Sequence, residues 1–181
     1  MAREERPENL GLIQVYTGSG KGKTTAAWGQ AVRAVGHGWK VAVVQFLKPR
    51  TSGEFTAAER LSPNLAVFGC TRPYDPRVDQ RKSTELRDDS RRNFEIAKDL
   101  ISSGVWDLVV LDEINIALHY DFISRDEMLD LLSARPEHVE IVLTGRYAPD
   151  WLINAADLVT EMAAVKHPAE QGTEAHKGIE Y

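Results

Sequence analysis

The chain has 181 residues, 43% of them hydrophobic and 27% charged, with a formal net charge of -5. That length and balance suit one domain with its own core, and they exclude wholesale disorder or a fibrous repeat. The acidic balance also argues against a broad nucleic-acid footprint, which needs a Lys/Arg surplus.

In chain order, residues 1–10 are polar and read as a flexible N-terminal arm. Gly11–Tyr16 is a short apolar strand, followed by a glycine-rich stretch. From Lys23 onward Ala27, Trp28, Ala31, Val32 and Val35 recur at helical spacing, until Gly36 and Gly38 stop the helix. Lys40–Leu47 is a β-branched strand that completes a βαβ unit. The long connection 48–64 holds one short helix near Ala57–Leu61, and Leu65–Gly69 is the next strand. Cys70–Arg81 reads as irregular, and a helix follows over Ser83–Ser103, with Leu86, Phe94, Ala97, Leu100 and Ile101 on one face.

Asp107–Leu111 is the strongest strand signal and runs directly into Asp112 and Glu113. Ser124 and Glu127 have capping-box spacing and open a helix through Leu132. Val139–Thr144 is a strand, Pro149 starts a short helix through Ala156, and Asp157–Met162 is a final edge strand. This alternation predicts an α/β fold with a mainly parallel sheet flanked by helices on both faces, which with the glycine loop Thr17–Thr25 (TGSGKGKTT) makes a single P-loop NTPase (RecA-like) domain. The domain is expected over residues 11–165, with a C-terminal tail, 166–181, packed on or near the site.

The chemistry concentrates in two places. Thr17–Thr25 (TGSGKGKTT) lies between a strand and a helix, the context in which a glycine-rich string becomes a phosphate site. Its glycines let successive N–H groups curl inward, and the helix N-terminus adds a positive dipole. The nucleotide-binding set is therefore Gly18, Ser19, Gly20, Lys21, Gly22, Lys23, Thr24 and Thr25, with Lys23 as the mobile charge and Thr24 as a hydroxyl ligand for a phosphate-bound Mg²⁺. The common pattern begins with Gly where this chain has Thr17, and the spacing of Gly18, Gly20 and Gly22 does not fit a dinucleotide fingerprint.

The second place is the acidic strand end. Asp112 is a direct or water-mediated metal partner, and Glu113 is a second ligand or a base that polarises water. Ligands in open α/β sheets bind at the carboxyl ends of strands, so Gln45, Lys48, Thr144, Gly145 and Arg146 belong to the same candidate site. The five histidines show no metal-ligand spacing, and Cys70 has no CxxC partner, so no zinc or iron site is assigned. The interleaved charges from Arg77 to Arg92 read as a solvated helix face. A single cysteine cannot form an internal disulfide, residues 1–10 are charged where a signal peptide needs an apolar core, and no apolar run approaches the ~20 residues that span a bilayer. A cytoplasmic protein with no membrane and no nucleic-acid partner is expected.

With these elements placed, the chain resembles the ATP:corrinoid adenosyltransferases of the P-loop, cobalamin-biosynthesis type. The likeness runs from Gly11 to Tyr181. It is carried by Thr17–Thr25 with Ala26 and Ala27, 33–38 (RAVGHG), 43–46 (VVQF), 109–113 (VVLDE), 134–136 (ARP), 144–146 (TGR), 165–167 (VKH) and 178–181 (GIEY). The resemblance implies that ATP lies reversed in the loop, that the Co(I) of cob(I)alamin or another corrinoid attacks C5′, and that triphosphate leaves whole. Thr17 is then the family's own form of the first loop residue. Lys23, Thr24 and Glu113 would be catalytic; Thr24, Asp112 and Glu113 would hold Mg²⁺ or Mn²⁺, and Arg146 would contact nucleotide or substrate. A homodimer and a reducing flavoprotein are also implied. The family's corrinoid loop carries a G-F-T-W pattern, whereas this chain has Gly69-Cys70-Thr71-Arg72-Pro73-Tyr74, which leaves Phe68, Cys70 and Tyr74 as the corrinoid-facing candidates. The alternatives are a P-loop ATPase and an ATP-gated corrinoid-binding protein without adenosyl transfer.

Overall fold

A computed structural model of the protein describes residues 10–49, 52–70, 83–168, 172, 173 and 175–179. The expected N-terminal arm thus lies, apart from Leu10, outside the described residues. The elements alternate as β1 (Ile13–Thr17), α1 (Lys23–Gly36), β2 (Val41–Pro49), α2 (Gly53–Arg60), β3 (Leu65–Cys70) and α3 (Thr84–Ser102). There follow β4 (Leu108–Asp112), α4 (Ile114–His119), α5 (Arg125–Ser133), β5 (Glu140–Thr144), α6 (Asp150–Ala155) and β6 (Leu158–Glu161).

The strands form one sheet in the order β3-β2-β4-β5-β1-β6, and every pairing is parallel. A strand covered on both faces needs apolar side chains at every position, and β4 (LVVLD) is buried throughout. Its period of two splits the core in half. Val109 and Leu111, with Ala42, Val44, Ile141 and Leu143, face a cluster built with α3, α4, α5 and α6. Leu108 and Val110, with Val41, Val43 and Val142, face a second cluster built with α1 and α2. This is the layered arrangement of a single P-loop NTPase-like domain. Among the described residues no helix is long and apolar enough to cross a membrane.

Most predicted elements are present, with three differences. The short helix of the 48–64 connection is longer and earlier than expected, spanning Gly53–Arg60. α4 has no counterpart in the sequence reading. It follows Glu113 directly, and Ile114, Asn115, Ala117 and Leu118 are all buried, so it shows no amphipathic stripe. Finally, β2 runs on to Pro49 through an irregularity: four steps along β2, from Gln45 to Pro49, correspond to one along β3, from Gly69 to Cys70.

Buried polar groups fix β1, and with it the loop that follows. The Glu140 carboxylate accepts from the N–H groups of Gly11 (2.8 Å) and Leu12 (2.7 Å) and from Gln14 Nε2 (2.5 Å). Arg135 donates twice to the Gly11 carbonyl, and Asp157 accepts from the Ile13 N–H at 2.8 Å. A buried carboxylate that receives this many donors is compensated for its lost hydration, so the strand's entry register is well defined.

Candidate active site

The loop from Thr17 to Lys23 leaves β1, which lies between β5 and the edge strand β6, and turns at Gly18 (φ 99°) and Gly22 (φ 120°), conformations that L side chains resist. It is pressed from one side by the backbone that leaves β6. The Gly20 N–H donates to the Met162 carbonyl at 2.6 Å, and the Met162 N–H donates to the Thr17 carbonyl at 2.9 Å. A Cβ at Gly20 would sit 2.8 Å from Met162 and Ala163 backbone atoms. Gly20 is therefore required by close packing as well as by loop curvature. Its N–H is directed at Met162, a departure from the expected run of inward-pointing N–H groups. The Thr17 hydroxyl accepts from the Ala148 N–H at 3.3 Å, which ties the loop to the segment after β5.

Lys23 opens α1 and is only 7% exposed. Its ammonium curls back over the loop, donating to the carbonyls of Gly18 (2.8 Å) and Gly20 (2.7 Å). Burial lowers its pKa from the ordinary 10.5, with the neighbouring cations Arg146 and Lys48 acting in the same direction and Glu113 against them. The loop is thus held shut by a charge that an incoming anion could draw away.

At the end of β4, Asp112 is completely buried and collects four donors. The hydroxyls of Thr144 (2.6 Å) and Thr24 (2.9 Å) donate to Oδ1, while Lys48 Nζ (2.9 Å) and Gln45 Nε2 (3.2 Å) donate to Oδ2. Glu113 follows in a left-handed conformation (φ 64°), its N–H on the Thr144 hydroxyl at 3.0 Å. The turn sends its carboxyl back toward Lys48, 3.4 Å from Oε1. Burial raises the Glu113 carboxyl above its ordinary 4.5, opposed by Lys48 and reinforced by Asp112. For Lys48 burial works against the charge, but the two carboxylates outweigh it and raise the ammonium above 10.5.

Gly20–Thr25, Gln45, Lys48, Glu113 and Arg146 line one cleft of about 710 Å³, together with Ser52–Glu54 at the start of α2, Ala57 one turn further along it, and His167, Gly178 and Ile179 from the C-terminal segment. Asp112 and Thr144 lie beneath its floor. Gly18 and Ser19 belong to the loop but do not line the cleft. Phe68 is half-buried on β3 and packs on the core. Cys70 ends β3 and is described by its backbone alone, and Tyr74 lies outside the described residues. Sequence reasoning missed Met162 and Ala163, and no local signal marks them: they act through backbone groups at the far end of the chain. It included Lys48 only by position at a strand end.

No group of three or more His, Cys, Asp or Glu side chains able to hold a metal occurs among the described residues. What the site does offer is a hard-oxygen set: the Thr24 hydroxyl, the Asp112 and Glu113 carboxylates, and a buried Glu113 Oε2 with no hydrogen-bond partner among the described residues. These donors fit a Mg²⁺-like cation, which takes one or two carboxylates and completes its shell with phosphate oxygens and water.

Residues 9–181 match the family described as ATP:corrinoid adenosyltransferase BtuR/CobO/CobP. The chain belongs to that family. It is 39% identical over 183 residues to a corrinoid adenosyltransferase of Pseudomonas aeruginosa, covering 99% of this chain and 86% of that one. It is 37% identical over 182 residues to corrinoid adenosyltransferase CobA of Salmonella typhimurium, covering 99% and 88%. A corrinoid adenosyltransferase of Escherichia coli is 36% identical over 181 residues, with the same coverage.

Proposed function

We propose that the protein transfers the 5′-deoxyadenosyl group of ATP to the Co(I) of a corrinoid and releases triphosphate. The observation that carries this reading is the meeting, in one cleft of a member of this family, of the glycine loop with Lys23, the oxygens of Thr24 and Glu113, and Arg146. The C5′–O bond of ATP breaks as the Co–C bond forms, and the triphosphate leaves with the bonding pair.

The protein's part is positioning and leaving-group neutralisation. Lys23 gives up its two loop carbonyls for phosphate oxygens, loop N–H groups and the positive end of α1 bind the same anion, and Arg146 approaches from the β5 side. Thr24 and Glu113, with Asp112 behind them, hold Mg²⁺ or Mn²⁺, which when bound supplies further positive charge to the leaving triphosphate. His167, Gly178 and Ile179 add C-terminal residues to the cleft lining, and the corrinoid is assigned to Phe68, Cys70 and Tyr74. A homodimer, a reducing flavoprotein as electron donor and a cytoplasmic location complete the proposal.

The test is incubation with ATP, Mg²⁺ and chemically reduced cobalamin. A light-sensitive Co–C bond and inorganic triphosphate are expected in equal amounts. Orthophosphate and ADP without the Co–C bond would overturn the reading in favour of an ATPase.

A further inference from the structure

The cation-ready oxygens are not bare: an ammonium sits among them. Lys48 Nζ donates to Thr24 Oγ1 at 2.5 Å and to Asp112 Oδ2 at 2.9 Å, and lies 3.4 Å from Glu113 Oε1. Three donors on one nitrogen thus meet three oxygens delivered by α1, β4 and the turn before α4. The Thr24 hydroxyl points its own proton at Asp112 Oδ1, so Lys48 binds on the lone-pair side of the oxygen, the side a metal would also use. A small divalent cation binds such oxygens at about 2.0–2.1 Å and would overlap Nζ, so ammonium and metal exclude each other.

The strand is shaped for this placement. Lys48 follows Leu47, a buried non-glycine residue at φ 57°, inside the irregular stretch of β2. Positive φ at such a residue persists only where its surroundings over-determine it, and strand irregularities of this kind re-aim side chains beside active sites. Without a cation the Asp112 and Glu113 carboxylates would face each other in a buried floor, a repulsion that burial magnifies.

We propose that the Lys48 ammonium holds the divalent cation's place in the nucleotide-free protein and, when the cation enters with the nucleotide, moves onto the triphosphate. One side chain then neutralises the carboxylates in one state and the leaving group in the other. The inference rests on the cation position proposed above. Lys48 lines the same cleft as Gly20–Thr25 and Arg146, is partly open to it, and swings on a flexible four-carbon stem, so the path to the anion is short.

The test measures binding rather than turnover, on the full chain. Free Mn²⁺ is followed by electron paramagnetic resonance without nucleotide, and inorganic tripolyphosphate binding is followed by calorimetry at saturating Mn²⁺. Lys48→Met is expected to bind Mn²⁺ about tenfold more tightly than the wild type, and tripolyphosphate about tenfold more weakly, the scale of one charge-assisted hydrogen bond in each state. Lys48→Gln replaces it if the methionine variant does not fold. Wild-type affinity for Mn²⁺, or for tripolyphosphate, in these variants overturns the proposal. Glu113→Gln, added to Lys48→Met, separates the two layers. If it lowers Mn²⁺ affinity while Lys48→Met alone changes nothing, the cation position stands and the Lys48 role is refuted. If it leaves Mn²⁺ affinity unchanged, the cation position falls and the inference falls with it.

Discussion

Asp112→Asn isolates how much of the site's rigidity depends on one negative charge. The asparagine keeps Oδ1, so the bonds from Thr144 (2.6 Å) and Thr24 (2.9 Å) can survive. Oδ2 becomes an NH₂ group facing two donors, Gln45 Nε2 and Lys48 Nζ. Gln45 can respond by turning its amide, because its Oε1 has no hydrogen-bond partner among the described residues. Lys48 carries only donors and cannot. It loses a charge-assisted bond, worth about 1.5–3 kcal/mol when buried. Its side chain is 31% exposed and Glu113 remains beside it, so the lower end, about 1.5 kcal/mol, is expected. For a domain of this size that lowers the thermal midpoint by about 3–6 °C. Asp112→Ala strands all four donors and costs about 3–5 kcal/mol. Urea unfolding followed by circular dichroism measures both variants, and a double-mutant cycle with Lys48→Met identifies the source. With the ammonium absent, Asp112→Asn is expected to cost under about 0.5 kcal/mol. An equal loss with and without Lys48, or an Asn variant as unstable as the Ala variant, would refute the reasoning.

Two further expectations concern the elements around the site. Gly20→Ala drives a Cβ into the Met162–Ala163 backbone at 2.8 Å, and overpacking of this kind costs about 1–3 kcal/mol. Calorimetry should find weaker ATP binding, and wild-type affinity would show that the β6 side does not hold the loop. At the start of α5 Glu127 closes the capping box on Ser124, and the Ser124 side chain and N–H, aided by Arg91, hold its carboxyl at about 2. A carboxylate depressed from 4.5 stabilises the fold above about 4.5, and that stability drains away as pH falls toward about 2. Glu127→Gln should therefore flatten the acid side of the thermal-midpoint profile while costing under about 1 kcal/mol at neutral pH, since the pair with Arg91 is largely exposed. A profile as steep as the wild type's would place the acid sensitivity elsewhere.

The sheet was legible because its signal is local. LVVL and VEIVLT are buried on both faces, and each carries enough β-branched and aliphatic residues to declare a strand without knowledge of its neighbours. The glycine loop and the acidic pair were legible for the same reason: the residues that make them lie side by side in the chain. α4 was hidden because a helix of six residues, most of them buried, has no polar face to set a period. α3 was placed correctly by its apolar positions, yet it also buries Asp89, Ser90 and Asn93, and nothing in the spacing distinguishes these from solvated neighbours. Lys48 was found by its place at a strand end, but its grip on Thr24, Asp112 and Glu113 depends on a strand irregularity that has no sequence mark. The clamp of Met162 on Gly20 lies further still from any local pattern, because it is made between backbone groups more than a hundred residues apart.

That clamp, with the position of β1 between β5 and β6, bears on how the protein is made. β1 precedes both of its neighbours in the chain by more than a hundred residues, since they begin at Glu140 and Leu158. A nascent chain therefore carries its glycine loop through the synthesis of more than a hundred residues with no sheet partner beside it, and folding must wait for long-range pairing. The loop emerges from the ribosome long before Met162 and acquires its working shape only when the chain through Met162 has followed. A fragment that stops before Met162 would hold every residue of the motif without the contact that shapes it.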